Sequence, residues 1–363
     1  MARCFIFKPD GIGDFFLSTG VIRLLATEFG EENLTIAVLP ALESVVRGQF
    51  PRASVITLEL EKKRRILNVF VANFLRCFPS LLALRHINPD YSISLRHMRD
   101  YFQSVLFYSV RCRKRFVAEN LLLGNKRRIR RWTEKLLTGF FSPTVIRYPK
   151  SKDIESLPQA LPFELEAHRR LVSALLGREV LGREIMPRIF PVKVFPRVGI
   201  CWVCAPFSSD PGKDFPTEGW IRLLNSLEPQ ELPDRLVLTG SVGQTSKLKD
   251  FRDQILSSRS EKSYSIQIFI PPSLQDFIDL LAMADCVLTV DTAAAHASTA
   301  LDQRTLVLFS GQHADMFAPW STSSRQLWML PCKALNTEAW HSRLENKDIL
   351  ASLKKILRET RNT

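Results

Sequence analysis

The 363-residue chain has no apolar run long enough to cross a bilayer. A spanning helix needs about 20 consecutive apolar residues. The most apolar region, Ile66–Leu84, is broken by Arg76 and Pro79, leaving charge-free runs of ten and eight residues. The opening Met1-Ala-Arg-Cys-Phe-Ile-Phe-Lys8 is too short an apolar stretch for a secretory signal and runs directly into a turn, so a cytoplasmic protein is expected. Cysteine is scarce: the seven residues are scattered, which suits a reducing cytoplasm better than a disulfide framework. Cys201-Trp-Val-Cys204 has redox or zinc spacing, but it falls in an expected strand with no second close pair, so no metal site is expected. An acidic balance is also missing. The net charge is +13, with 31 Lys+Arg against 18 Asp+Glu in residues 1–190 and 19 against 19 in residues 191–363. The first half should therefore face something anionic, and the second should bind through local contacts.

What is present is alternation of short apolar runs with helical stretches, which points to parallel sheets covered by helices. The length exceeds what one core usually supports, so two domains are expected. Strands are expected at Arg3–Phe7, Leu34–Leu39, Val55–Leu58 and Tyr91–Leu95. A second series falls at Val198–Val203, Arg235–Thr239, Ile266–Ile270, Val287–Val290 and Thr305–Phe309. The expected organisation is an N-terminal domain over 1–170, a connection over 171–196, a second domain over 197–346, and a C-terminal helix over 347–363 that packs across a domain. Between them, Glu61–Lys152 holds three basic clusters, Lys62–Arg65, Arg111–Arg115 and Lys126–Arg131, with aromatic neighbours. These could be solvated helical faces or a surface resting on anionic lipid. Nucleic acid would use the same charges, but no nucleic-acid-binding motif accompanies them, so none is expected as a partner.

The residues that could carry chemistry stand at strand ends. Ala284–Leu301 reads as a buried strand, a corner at Asp291-Thr292, and a helix of small residues through Ala293, Ala294 and His296. The free amides and dipole of such a helix start favour an anion such as a diphosphate. A capping role for Asp291 or Thr292 is the plainer alternative. His296, four residues beyond Thr292, shares its helix face and favours a site. Gly11 and Gly13 shape the turn after the first strand, and Asp14 follows it, where open α/β sheets place their ligands. Asp14 could be a general base or a helix cap. Lys213 lies in the loop Ala205–Pro216 and could neutralise a diphosphate, with Ser208 and Ser209 as donors to the same oxygens. Gly240 ends another strand in a turn.

These stretches resemble glycosyltransferase family 9, the bacterial heptosyltransferases of lipopolysaccharide core synthesis. The likeness rests on Gly11-Ile-Gly13-Asp14, on Lys213 with Phe215-Pro216, on Leu238-Thr-Gly240, and on Leu274–His296 with its Asp-Thr-x3-His ending. Leu308–Asp315 resembles the last of the family's turns. The resemblance implies a GT-B fold: α/β, two Rossmann-like domains with parallel sheets facing a central cleft, acceptor on the first and nucleotide sugar on the second. It implies inverting transfer without a cofactor or required metal, with Asp14 as base. Lys213, Ser208, Ser209 and the amides after Asp291 would hold the diphosphate, and Asp291 would contact the sugar. Thr292 and His296 would lie near the phosphates, and Pro272, Ser273 and Gln244 near the nucleoside. ADP-heptose is the expected donor and an anionic lipid-linked acceptor the expected partner, with peripheral contact at the inner membrane. Transfer to protein, transfer from another nucleotide sugar, or a non-catalytic basic binding protein are the alternatives. Two positions depart from the family pattern: Ala293 stands where glycine is usual, and Ser310-Gly311-Gln312 where Gly-Pro-Thr is usual.

Overall fold

A computed structural model of the chain describes residues 1–60, 78–96, 99, 101–119, 136–146, 161–194, 196, 198–258, 264–311, 314–317, 319–321, 323–331 and 340–358. The chain divides into two compact units, Met1–Pro187 and Arg188–Thr363. Each is built on a six-stranded parallel sheet.

In the first unit the strands are β1 (Cys4–Phe7), β2 (Leu34–Val38), β3 (Ser54–Thr57), β4 (Tyr91–Ser94), β5 (Lys114–Ala118) and β6 (Thr144–Ile146). The helices that concern the site are α1 (Ile12–Phe29), α2 (Glu43–Gln49), α3 (Tyr101–Ser109) and α4 (Phe163–Leu176). The spatial order is β3-β2-β1-β4-β5-β6, so the winding reverses between β1 and β4. β1 is buried at every position, as a central parallel strand must be. α1 buries Leu17, Val21 and Leu25, and α4 buries Leu165, Leu171 and Val172. Gly20 lets α1 press on the chain: a Cβ there would lie 2.1 Å from the Ile185 carbonyl oxygen.

β5 and β6 are additions to the expected strands. β5 runs through the Arg111–Arg115 cluster, and Arg115 is buried there rather than presented to an anionic partner. Its guanidinium lies 5.0 Å from the Phe141 ring centroid and 5.3 Å from that of Tyr108, and burial lowers its pKa. Phe107 and Phe116, which neighbour this cluster, are core residues. The clusters Lys62–Arg65 and Lys126–Arg131 lie outside the described residues.

The second unit holds β7 (Cys201–Ala205), β8 (Arg235–Thr239), β9 (Ser265–Phe269), β10 (Cys286–Val290), β11 (Thr305–Leu308) and β12 (Gln326–Met329). Its helices include α5 (Thr217–Asn225), α6 (Thr245–Ser257), α7 (Leu274–Ala282), α8 (Ala293–Ala300) and α9 (Asn346–Arg358). The order β12-β11-β10-β7-β8-β9 reverses between β7 and β10. One core joins Trp202, Trp220, Leu238, Leu288 and Leu308 with Ile349, Leu353 and Ile356 of α9. Cys201 and Cys204 are both in β7 as free, buried thiols, and burial raises them. No helix among the described residues is long and apolar enough to cross a membrane.

Candidate active site

Parallel α/β sheets bind ligands outside the carboxyl ends of their strands, where the strand order reverses. In the second unit that point lies between β7 and β10, whose register pairs Thr289 with Ala205. The Thr289 hydroxyl donates to the Ala205 carbonyl at 3.0 Å and lies 3.2 Å from the Thr292 hydroxyl. The loop after β7 and the corner after β10 thus leave the sheet side by side.

These two connections bring together the residues that the sequence singled out. Lys213 Nζ donates to Asp291 Oδ2 at 2.6 Å across 78 residues of chain. Asp291 is buried, and the Lys213 side chain is 23% exposed. Thr292 is the N-cap of α8, its hydroxyl accepting from the Ala294 amide at 3.2 Å. Capping and a ligand role are compatible, because one hydroxyl satisfies only part of the helix start. Ala293 opens the helix without a bulky side chain.

The Lys213 loop is braced from several sides. Asp210 caps its short turn, Pro211–Lys213, by accepting from the Gly212 amide at 3.1 Å. The Ser208 amide donates to Asp214 Oδ1 at 2.5 Å, and the Ser208 hydroxyl accepts from the Asp210 amide at 3.1 Å. Burial holds the Asp214 carboxyl above its ordinary pKa. Trp340 donates from its indole to the Gly212 carbonyl at 3.0 Å. Ser209 is exposed beside this frame.

Gln244 links the loop after β8 to that after β7, donating to the Ser208 carbonyl at 3.0 Å and accepting from the Ser241 amide at 2.9 Å. Gly240 leaves room for this bridge, since a Cβ there would lie 2.7 Å from Gln244 Oε1. Pro272 and Ser273 follow β9, two strands outward from β7. The Ser273 hydroxyl caps α7 and donates to Asp276 Oδ2 at 2.6 Å, so it is already committed within its own helix start.

His296 is buried on α8, and its Nδ1 accepts from the Trp320 indole at 3.2 Å. An indole only donates, so this nitrogen carries the lone pair and the proton belongs on Nε2. Trp320 was not foreseen in the sequence; an isolated tryptophan near the end of the chain carries no spacing signal.

In the first unit, α1 begins after Gly11, an extended N-cap without side-chain capping, and Gly13 lies in the first helical turn. Asp14 sits in that same turn, partly exposed, and is not the capping residue. The loops after β1 and β4, at this sheet's own reversal, carry Lys8, Asp10 and Arg96, joined by Glu164 and His168 of α4. None of these was foreseen, although the i,i+4 spacing of Glu164 and His168 placed them on one helix face. No group of three or more His, Cys, Asp or Glu side chains suited to a metal occurs among the described residues.

Residues 196–347 match the family model described as glycosyltransferase family 9 (heptosyltransferase). The matched stretch lies within the second unit, which is thus similar to glycosyltransferase family 9. Solved structures of similar fold extend the likeness along the chain. Escherichia coli heptosyltransferase WaaC, solved with ADP-2-deoxy-2-fluoro heptose, aligns at 15% identity and TM-score 0.69 over 99% of both chains. E. coli ADP-heptose lps heptosyltransferase II aligns at 14% identity and TM-score 0.66 over 99% of both. A family 9 glycosyl transferase from Veillonella parvula aligns at 11% identity and TM-score 0.68, over 99% of this chain and 97% of its own. At these identities the likeness is one of fold: the paired Rossmann-like units of the GT-B glycosyltransferases. No curated protein matches the chain by sequence. The Lys213–Asp291 pair lies inside the stretch that matches the family model.

Proposed function

We propose that the protein transfers a heptose, or a related sugar, from ADP-heptose to a phosphorylated, lipid-linked acceptor of the lipopolysaccharide-core type. The observation that carries this reading is the meeting of Lys213, Asp291 and the α8 N-terminus at the strand reversal of the second unit. A cation and a helix start at one sheet edge suit a diphosphate. One protein of similar fold, WaaC, was solved both with ADP and with ADP-2-deoxy-2-fluoro heptose, which supports an ADP-sugar as the donor.

In this mechanism Asp14 takes the proton from the acceptor hydroxyl. The oxygen attacks the anomeric carbon from the face opposite the diphosphate, and the carbon–oxygen bond to the nucleotide breaks with inversion. The electron pair departs on the diphosphate, where Lys213, Ser208, Ser209 and the amides of Ala293 and Ala294 offset the developing charge without a metal. Asp291 orients sugar hydroxyls, with Thr292 and His296 near the phosphates. Gly240, Gln244, Pro272 and Ser273 border the nucleoside. Gly11 and Gly13 shape the acceptor side. The excess positive charge of residues 1–190 suits an anionic acceptor at the cytoplasmic face of the inner membrane.

The test is thermal stabilisation by ADP, UDP, GDP and their sugars. A ligand at 100 times its Kd adds about 2.7 kcal/mol. Selective stabilisation by ADP and ADP-heptose is expected; preference for UDP or GDP would overturn the donor assignment.

A further inference from the structure

The first unit hides a lysine with no exposed surface. Lys8 follows β1, three residues before Gly11, and its side chain is 0% exposed. A buried ammonium persists only where its charge is offset and hydrogen bonds replace the lost water. Here two hydrogen bonds and one ion pair, from three elements, meet it. The partners are Asp10 Oδ2 at 2.8 Å after β1, the Leu95 carbonyl at 3.1 Å after β4, and Glu164 Oε1 at 3.2 Å in the first turn of α4.

Arg96 and His168 extend the network. Arg96 pairs with Asp10 and also donates to the Pro9 carbonyl at 3.2 Å. His168 Nε2 lies 3.0 Å from the Leu95 carbonyl and 3.4 Å from Glu164 Oε1. Both neighbours are acceptors, so Nε2 carries a proton and the ring adds a donor. Lys8 and Arg96 are set against Asp10 and Glu164. Buried ion pairs seldom add net stability over apolar residues of similar volume. What this one does is join the Lys8–Gly11 turn to the loop after β4 and to α4, at the reversal of the sheet.

We propose that Lys8 is a positioning residue that pins the turn from which α1 begins, and so sets where Asp14 is presented. The proposal rests on the reading of Asp14 as the acceptor base. The variant that tests it is Lys8→Met with Glu164→Gln, which removes one charge of each sign and leaves Asp10 with Arg96. Glu164→Gln alone is the second variant, should the double one lose its thermal transition. Two readouts are taken. Hydrogen exchange of a peptide covering Lys8–Phe16 should quicken roughly tenfold, with peptides of the second unit unchanged. Transfer from ADP-heptose to a heptose-deficient, phosphorylated core oligosaccharide should lose roughly tenfold or more in kcat, with the donor KM within about twofold. Wild-type exchange in both variants would overturn the pin. Faster exchange with unchanged kcat would reduce Lys8 to a structural residue and overturn its positioning role. If the unaltered protein transfers nothing to this acceptor, the Asp14 reading fails, and exchange alone decides whether Lys8 pins the turn.

Discussion

The Lys213 ammonium lies 2.6 Å from the Asp291 carboxylate although 78 residues separate them. The pair joins the loop after β7 to the corner after β10, the two connections that flank the strand reversal of the second unit. Lys213→Ala should weaken ADP binding by tenfold or more, read by calorimetry, since it removes the cation paired with Asp291 beside the helix start. It should also lower stability by about 1–3 kcal/mol, because it leaves the buried Asp291 without its cation. Asp291→Asn should cost less stability, since an amide can still accept from Lys213.

Thr292 separates helix capping from ligand binding. Thr292→Ser keeps a hydroxyl on the Ala294 amide and should be close to neutral. Thr292→Ala should cost about 1 kcal/mol in denaturant unfolding. ADP affinity retained in Thr292→Ala would place the ligand on the amides rather than on the hydroxyl.

The buried thiols give a prediction in pH. Burial pushes Cys286 up to about 12 and raises Cys204 in the same direction, so the folded state disfavours both thiolates. Their contribution to stability is full below the unfolded thiol value near 9 and declines as pH rises from there towards 12, because the unfolded chain sheds its protons first. Neither thiol should react with a disulfide reagent at neutral pH until the chain unfolds. Rapid labelling of native protein at either position would contradict the burial.

Trp320 fixes the tautomer of His296. Nitrogen-15 spectra of labelled protein should show His296 protonated on Nε2, and Trp320→Phe should release a mixture of tautomers. An Nδ1–H form in the unaltered protein would contradict the arrangement.

Much of this was legible in the sequence where local chemistry dictates geometry. The Val287–Val290 run and the small residues after Asp291 specify a buried strand, a corner and a helix, and β10 and α8 follow them closely. The helix after Gly11 ends at Phe29, where Gly30 takes a positive φ of +84°. The expected strand over Val198–Val203 begins later, at Cys201, because Gly199 takes a left-handed φ of +68° and Asp234 captures the Ile200 amide at 2.6 Å. β5 was masked by its own charges: Lys114 and Arg115 open a strand whose arginine is paid for by aromatic faces. Lys8, Asp10, Glu164 and His168 carry no motif, because their partners come together only when α4 folds back on the sheet. Such long-range pairing leaves no periodic trace in a single sequence.

The most direct measurement is transfer from ADP-heptose to a heptose-deficient, phosphorylated core oligosaccharide by the unaltered protein and by Asp14→Asn. The account requires an inverted product from the unaltered protein. In Asp14→Asn it requires turnover lower by roughly a hundredfold or more with ADP binding retained. Wild-type turnover in Asp14→Asn would contradict it.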